Sequence, residues 1–157
     1  MRHFEDLVEG HTERSGTLTV EREPMLEFAR RYDPQYFHAD ADAAQASPFG
    51  EVVASGIYTM ALWRQLDHQI AHDIAWICGV AWDDVRFAVA VRAGDILQAE
   101  ATCLSRRDSG SDPRRGVAVY AYVLRNQRGE VVFSCRSTNL VWKRGCGPSA
   151  PAAPASA

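Results

Sequence analysis

The chain has little of what usually marks a specialised protein class. It holds four cysteines in 157 residues, Cys78, Cys103, Cys135 and Cys146, and none forms a CxxC pair. Their spacing suits neither a zinc site nor a dense disulfide scaffold. No metal is therefore expected, and the cysteines read as small buried hydrophobes. No window approaches the ~18 consecutive apolar residues of a membrane-spanning helix. The N-terminus, Met1-Arg2-His3-Phe4-Glu5-Asp6, is charged and lacks the apolar core of an export signal. The formal net charge is -3, so nothing advertises nucleic acid. There is no internal repeat. These absences point to a soluble cytoplasmic protein with neither a membrane nor a nucleic acid as partner.

What is present suits one globular unit. The length argues for a single domain, and 46% hydrophobic residues are enough to fill its core. That domain is expected over residues 1–144. The last stretch, 145–157, is rich in Ala, Pro, Gly and Ser, has little that can pack, and reads as a disordered tail.

Periodicity orders the elements. Thr17-Leu18-Thr19-Val20 alternates and suits a first strand within 12–20. A helix opens near Glu23-Pro24, with Met25, Phe28 and Ala29 on its inner face, and it must stop before Pro34. A polar, irregular stretch follows, with one or two helical turns within 40–46 and a turn at Ser47-Pro48-Phe49-Gly50. Ser55 is a plausible N-cap for a second helix running to about His72. Its first half is apolar almost all round, as in a buried helix, which places Ile57, Met60 and Ala61 in the core. Residues 74–82 and 85–91 then read as two strands. Residues 96–104 alternate with Leu97, Ala99, Ala101 and Cys103 on one face. A charged loop over 106–115, a strand over 117–124, a hairpin turn at Asn126-Gln127-Arg128-Gly129 and a last strand over 131–142 complete the order. Helices and strands are segregated, which favours an α+β fold with an antiparallel sheet. One buried helix against a curled antiparallel sheet describes the hot-dog architecture.

The segment Asp33-Pro34-Gln35-Tyr36-Phe37-His38, just ahead of the buried helix, resembles the Asp-x-Asn-Pro-x-His type motif of the MaoC-like dehydratases, which include the (R)-specific enoyl-CoA hydratases. The Asp-to-His spacing is retained. Asp40, Ala43, Ala44, Ser47-Pro48-Phe49-Gly50, Val53-Ala54-Ser55-Gly56 and the Gly94-Asp95 turn extend the resemblance over roughly residues 5–143. Tyr32 replaces the family's usual Gly, and Gln35-Tyr36 replace its Asn-Pro. A variant branch of the family has this Asp-Pro-x-x-Phe-His form.

The resemblance implies reversible hydration of a 2-enoyl-CoA to a 3-hydroxyacyl-CoA. That chemistry needs a base for water, an acid for Cα and a donor for charge on the thioester oxygen. A carboxylate and an imidazole near one water supply the first two; the family implies Asp33 and His38 in these parts, acting as a coupled pair. The family's oxyanion glycine maps to Gly56, whose amide at a helix start is an orphan donor in a favourable dipole. By their neighbourhood, Phe37, Phe49, Val53 and Ser55 are expected to line the acyl pocket. The arginines of the loop, Arg106, Arg107, Arg114 and Arg115, suit the phosphates of CoA or a solvated turn. No metal or redox cofactor is required by this chemistry. A homodimer or higher homo-oligomer is expected, because a lone hot-dog sheet leaves an edge and an apolar face to cover.

Two alternatives stand beside this reading. A hot-dog acyl-CoA thioesterase commonly places its carboxylate on the central helix, and residues 55–66 contain no Asp or Glu. A non-catalytic acyl-CoA-binding subunit has no need of the Asp33 and His38 pair. Histidines His68 and His72 at i, i+4 read as cations facing a helix C-terminus rather than as metal ligands.

Overall fold

The computed structural model describes residues 1–147. A 3-10 turn at Phe4–Asp6 precedes strand β1, Thr12–Thr19. Helix α1 spans Arg22–Tyr32, the single-turn helix α2 spans Tyr36–Ala39, and a 3-10 turn covers Ala43–Ala46. The long helix α3, Gly56–Ala71, leads into β2, Trp76–Phe87. Then come β3, Ile96–Asp108, β4, Arg115–Arg125, and β5, Val131–Trp142. The five strands form one sheet in the order β1-β3-β4-β5-β2, and every pairing is antiparallel.

The sheet curls around α3, giving the α+β hot-dog fold expected from the order of elements. Trp63, fully buried in the middle of α3, carries the contact. Its ring lies 4.9 Å from Tyr122, 5.1 Å from Phe133 and 5.5 Å from Trp82. One helical residue thus meets three strands, and aromatic pairs at such separations are worth about 0.5–1.5 kcal/mol beyond the area they bury. Leu62, Leu66 and Ile70 extend the stripe at helical spacing.

Several expectations need correction. The helix does not bury Ile57, Met60 and Ala61: Ile57 is 54% exposed, Ala61 is exposed and Met60 half-buried. A single sheet wraps only one side of α3, so its apolar far side faces outward. The two strands expected over 74–82 and 85–91 are one strand, β2. The charged Asp83-Asp84 step is a bulge within it: the register shifts between Asp83 and Arg86, and Asp84 takes a φ of 52°. Residues 88–91 are not a strand; the Val91 carbonyl instead accepts the amide of Ala54 at 2.8 Å. The loop expected over 106–115 is shorter, since β3 continues to Asp108. Of the cysteines, Cys103 and Cys135 are buried, but Cys78 is exposed and Cys146 half-buried. In the stretch expected to form a tail, the Cys146 amide donates to the Lys143 carbonyl at 3.0 Å, closing a turn; residues 148–157 lie outside the described residues. Among the described residues no helix is long and apolar enough to cross a membrane.

Candidate active site

Pro34 ends α1, as its clash with a preceding helical residue requires. Asp33 becomes the C-cap at φ -151° and ψ 69°, its amide donating to the Ala29 carbonyl at 2.8 Å. The chain then makes the one turn of α2, which periodicity missed because four residues are too few to show a period. That turn buries His38. Two hydrogen bonds tie it to Val53 in the segment 52–54. The Val53 amide donates to the Phe37 carbonyl at 3.1 Å, and Nδ1 of His38 lies 2.8 Å from the Val53 carbonyl oxygen. A carbonyl only accepts, so Nδ1 carries the proton. In the neutral ring Nε2 is then the free nitrogen.

That free nitrogen faces Asp33. Nε2 and Asp33 Oδ2 are 3.9 Å apart, too far for a direct hydrogen bond and near enough for both to meet one water. The other carboxylate oxygen, Oδ1, accepts the Gln35 side-chain amide at 3.0 Å. Gln35, read from the sequence as a departure from the motif, therefore holds the carboxylate.

Segment 52–54 continues into α3. Ser55 is the N-cap: its hydroxyl accepts the Tyr58 amide at 3.1 Å, and the Ser55 carbonyl accepts the Thr59 amide at 2.9 Å. The amides of Gly56 and Ile57 are left without an intrahelical partner, at the positive end of the helix. Gly56 is also tightly packed. A Cβ there would stand 3.0 Å from the ring of Phe87.

These pieces share a cavity of about 320 Å³. His38, Gly56, Phe37, Phe49 and Val53 line it, together with Thr59, Phe87, the segment 88–91 and Val132. Ser55, fully buried, is occupied as a cap and is not on the wall; Asp33 reaches the cavity through His38 and does not line it. Sequence reasoning missed Phe87 and the segment 88–91, because β-formers of that kind read as strand. The arginine loop is not brought to this site. It joins β3 to β4 at the Trp142 end of β5, whereas Val132 is at the opposite end. Arg114 is there bound to Asp112 at 3.0 Å, which holds the Asp112 carboxyl down at about 2.

A second carboxylate was overlooked. Helix α3 runs past Leu66, and Asp67 is buried on it. Its Oδ2 pairs with Arg64, and it borders a separate cavity of about 270 Å³ with Trp76, Trp82 and Tyr122.

The fold and this motif define a hot-dog protein with an aspartate and a histidine at the start of its central helix. The model of the MaoC like domain matches residues 3–123, and the chain belongs to the MaoC-like hydratase/dehydratase family. It is 31% identical over 120 residues to 3-hydroxyacyl-thioester dehydratase Z of Mycobacterium tuberculosis, covering 71% of this chain and 80% of that protein. It is similar to the crystal structure of the MaoC-like dehydratase from Rhodospirillum rubrum, with a TM-score of 0.85 and 34% identity over 92% of this chain and 99% of that one. A Mycobacterium tuberculosis protein described as a double hotdog fold superposes with a TM-score of 0.76 at 15% identity, over 99% of this chain and 52% of that one.

Proposed function

We propose that the chain catalyses the reversible hydration of a 2-enoyl-CoA to a 3-hydroxyacyl-CoA. The observation that carries this reading is the 3.9 Å separation of His38 Nε2 and Asp33 Oδ2 beside a cavity that also touches Gly56. A water held by the two side chains loses a proton to the pair as its oxygen bonds to Cβ. The C=C electrons move onto Cα and the thioester carbonyl. The amide of Gly56 meets the charge that develops on that oxygen; one such donor typically contributes about 3–4 kcal/mol. The pair then returns a proton to Cα, so the sum is addition of one water. Because Nδ1 is committed to Val53, the exchange runs through Nε2. This chemistry uses proton transfer and an oxyanion donor and calls on no metal or redox cofactor.

The active unit on this reading is a homodimer. Its support is the edge strand β2, where Val80, Trp82, Val85 and Phe87 are exposed, and the outward Ile57 on α3. An unpaired edge with an apolar row invites a second strand, and a second copy supplies one with the same chemistry.

The test is to follow loss of absorbance of the conjugated enoyl thioester with purified protein and to analyse the products. A 3-hydroxyacyl-CoA is expected. Release of free CoA with no hydroxyacyl product would overturn hydration in favour of thioester cleavage.

A further inference from the structure

The walls of the cavity at His38 are of two kinds. Val53, Val91 and Val132 are buried core residues, whereas Phe87 is 50% exposed at the end of β2. Half-exposed side chains usually have room to swing, but this ring is pinned on two sides. A Cβ on Gly56 would meet its Cζ at 3.0 Å and two further ring carbons at 3.2 Å. On the other side the buried Phe133 ring lies 5.5 Å away, centroid to centroid, tilted by 41°. A residue of the sheet edge thus reaches across to the first residue of α3 and closes the gap between strand and helix. The cavity it borders, about 320 Å³, lies at the small end of the range of about 300–1,000 Å³ typical of ligand pockets.

We propose that Phe87 sets the length of acyl group the site accepts, and that the site takes short-chain acyl thioesters. The identity of the ligand rests on the hydratase reading above; the length limit rests on the ring. An acyl tail that outgrows the cavity must displace Phe87 from both Gly56 and Phe133. Truncating the ring opens a passage between the end of β2 and the start of α3.

Binding and turnover separate the two claims. Butyryl-, hexanoyl-, octanoyl- and dodecanoyl-CoA are titrated calorimetrically into the wild type, Phe87→Ala and Phe87→Leu, and the matching 2-enoyl-CoAs are assayed for hydration. The wild type is expected to bind butyryl-CoA at least about tenfold more tightly than dodecanoyl-CoA, since even one methylene in an apolar pocket discriminates by about 10–200-fold. Phe87→Ala should recover dodecanoyl binding by at least about tenfold on the same grounds, so that the preference for butyryl- over dodecanoyl-CoA shrinks or inverts. Phe87→Leu keeps an apolar group against Gly56 and should fall between. One length profile shared by all three proteins, or a wild type that binds dodecanoyl-CoA as tightly as butyryl-CoA, overturns the proposal. Binding that shifts as expected without hydration of any enoyl-CoA upholds the length limit and sinks the hydratase reading. Hydration with an unshifted profile does the reverse.

Discussion

Helix α3 has a carboxylate beside a cavity at each end, and the two are chemically unlike. At its start, Asp33 faces Nε2 of His38 across 3.9 Å. Toward its end, Asp67 is bound to Arg64, and its other oxygen has no hydrogen-bond partner among the described residues. Burial pushes the Asp67 carboxyl above the usual carboxylate range, against the pull of Arg64. Burial also raises its neighbours, with the charge of Asp67 adding to the effect: the Tyr122 phenol is raised, and the Cys135 thiol is pushed up to about 12. A cavity and a carboxylate therefore do not make an active site. A guanidinium cannot give up its proton, so Asp67 has a charge partner but no partner for proton exchange. His38, with Nδ1 committed and Nε2 free, offers Asp33 one.

The largest expected effect breaks the Asp33–His38 end. Asp33→Asn and His38→Ala should each slow hydration by about 10²–10⁴-fold, the range for loss of a positioned acid or base; thermal unfolding should be little changed in Asp33→Asn, and His38→Ala should lose about 1–3 kcal/mol with the buried bond to Val53 while remaining folded. Full rate in both variants would erase the distinction between the two ends. A smaller effect is expected from Gln35→Ala, which frees Asp33 Oδ1. Hydrogen bonds to charged groups are worth about 1.5–3 kcal/mol, and Gln35 is exposed, so kcat should fall by about tenfold or less. KM should stay put, because the loss is one of positioning, and Gln35→Asn should recover part of the rate. A rise in KM at constant kcat would instead make Gln35 a binding residue.

The contrast also shows which features can be read from sequence. The order of elements, the stop at Pro34, the cap at Ser55 and the alternation of Leu97, Ala99, Ala101 and Cys103 were legible, because each is a local property of the chain. Gly129, at φ 77°, closes the hairpin that its spacing announced. The motif was legible as a resemblance, and the structure brings His38 and Gly56 to one cavity. Three things were not legible. The outward face of Ile57 and Ala61 depends on how far the sheet wraps, which is set by the strand count and not by the helix. Residues 88–91 have the composition of a strand but make a single backbone bond to one, from the Ala88 amide to Val132 of β5 at 3.2 Å, and they become a cavity wall. The hold of Gln35 on Asp33 spans two residues and depends on the tight turn at Pro34, where the Gln35 amide donates to the Asp33 carbonyl at 2.8 Å, which no periodicity records.

The far end of α3 can be tested through stability. The folded Asp67 carboxyl is raised above its unfolded value, so between the two values the folded state binds more protons than the unfolded chain. Stability then falls as pH rises through that window. Arg64→Leu removes the cation that opposes the rise, so it should lift the carboxyl further and extend the decline toward neutral pH. Losing one partner of a fully buried pair costs about 3–5 kcal/mol. Arg64 is half exposed, and about 1–3 kcal/mol is expected here, or about 2–4 °C in Tm per kcal/mol for a chain of this size. Melts of both proteins in acid and at neutral pH should converge in acid and separate at neutrality. A gap that stays constant with pH would mean that the loss is one of packing alone.

The smallest effect is expected from Asp67→Asn, and it bears most directly on the reaction. A carboxylate on the central helix is what a thioester-cleaving reading of this fold asks for, and Asp67 is one. Its position argues against that use. It stands eleven residues along α3 from Gly56, about 16 Å at the helical rise, on the wall of the other cavity. The asparagine carbonyl still accepts from Arg64, so the pair keeps a hydrogen bond while the buried charge is lost. Hydration by Asp67→Asn should stay within about twofold of the wild type, because additivity holds for sites this far apart. Release of free CoA, assayed in parallel, should be equally low in both proteins. If the wild type instead cleaves thioesters and Asp67→Asn does not, the roles of the two ends are exchanged, and Asp33 with His38 become the structural pair.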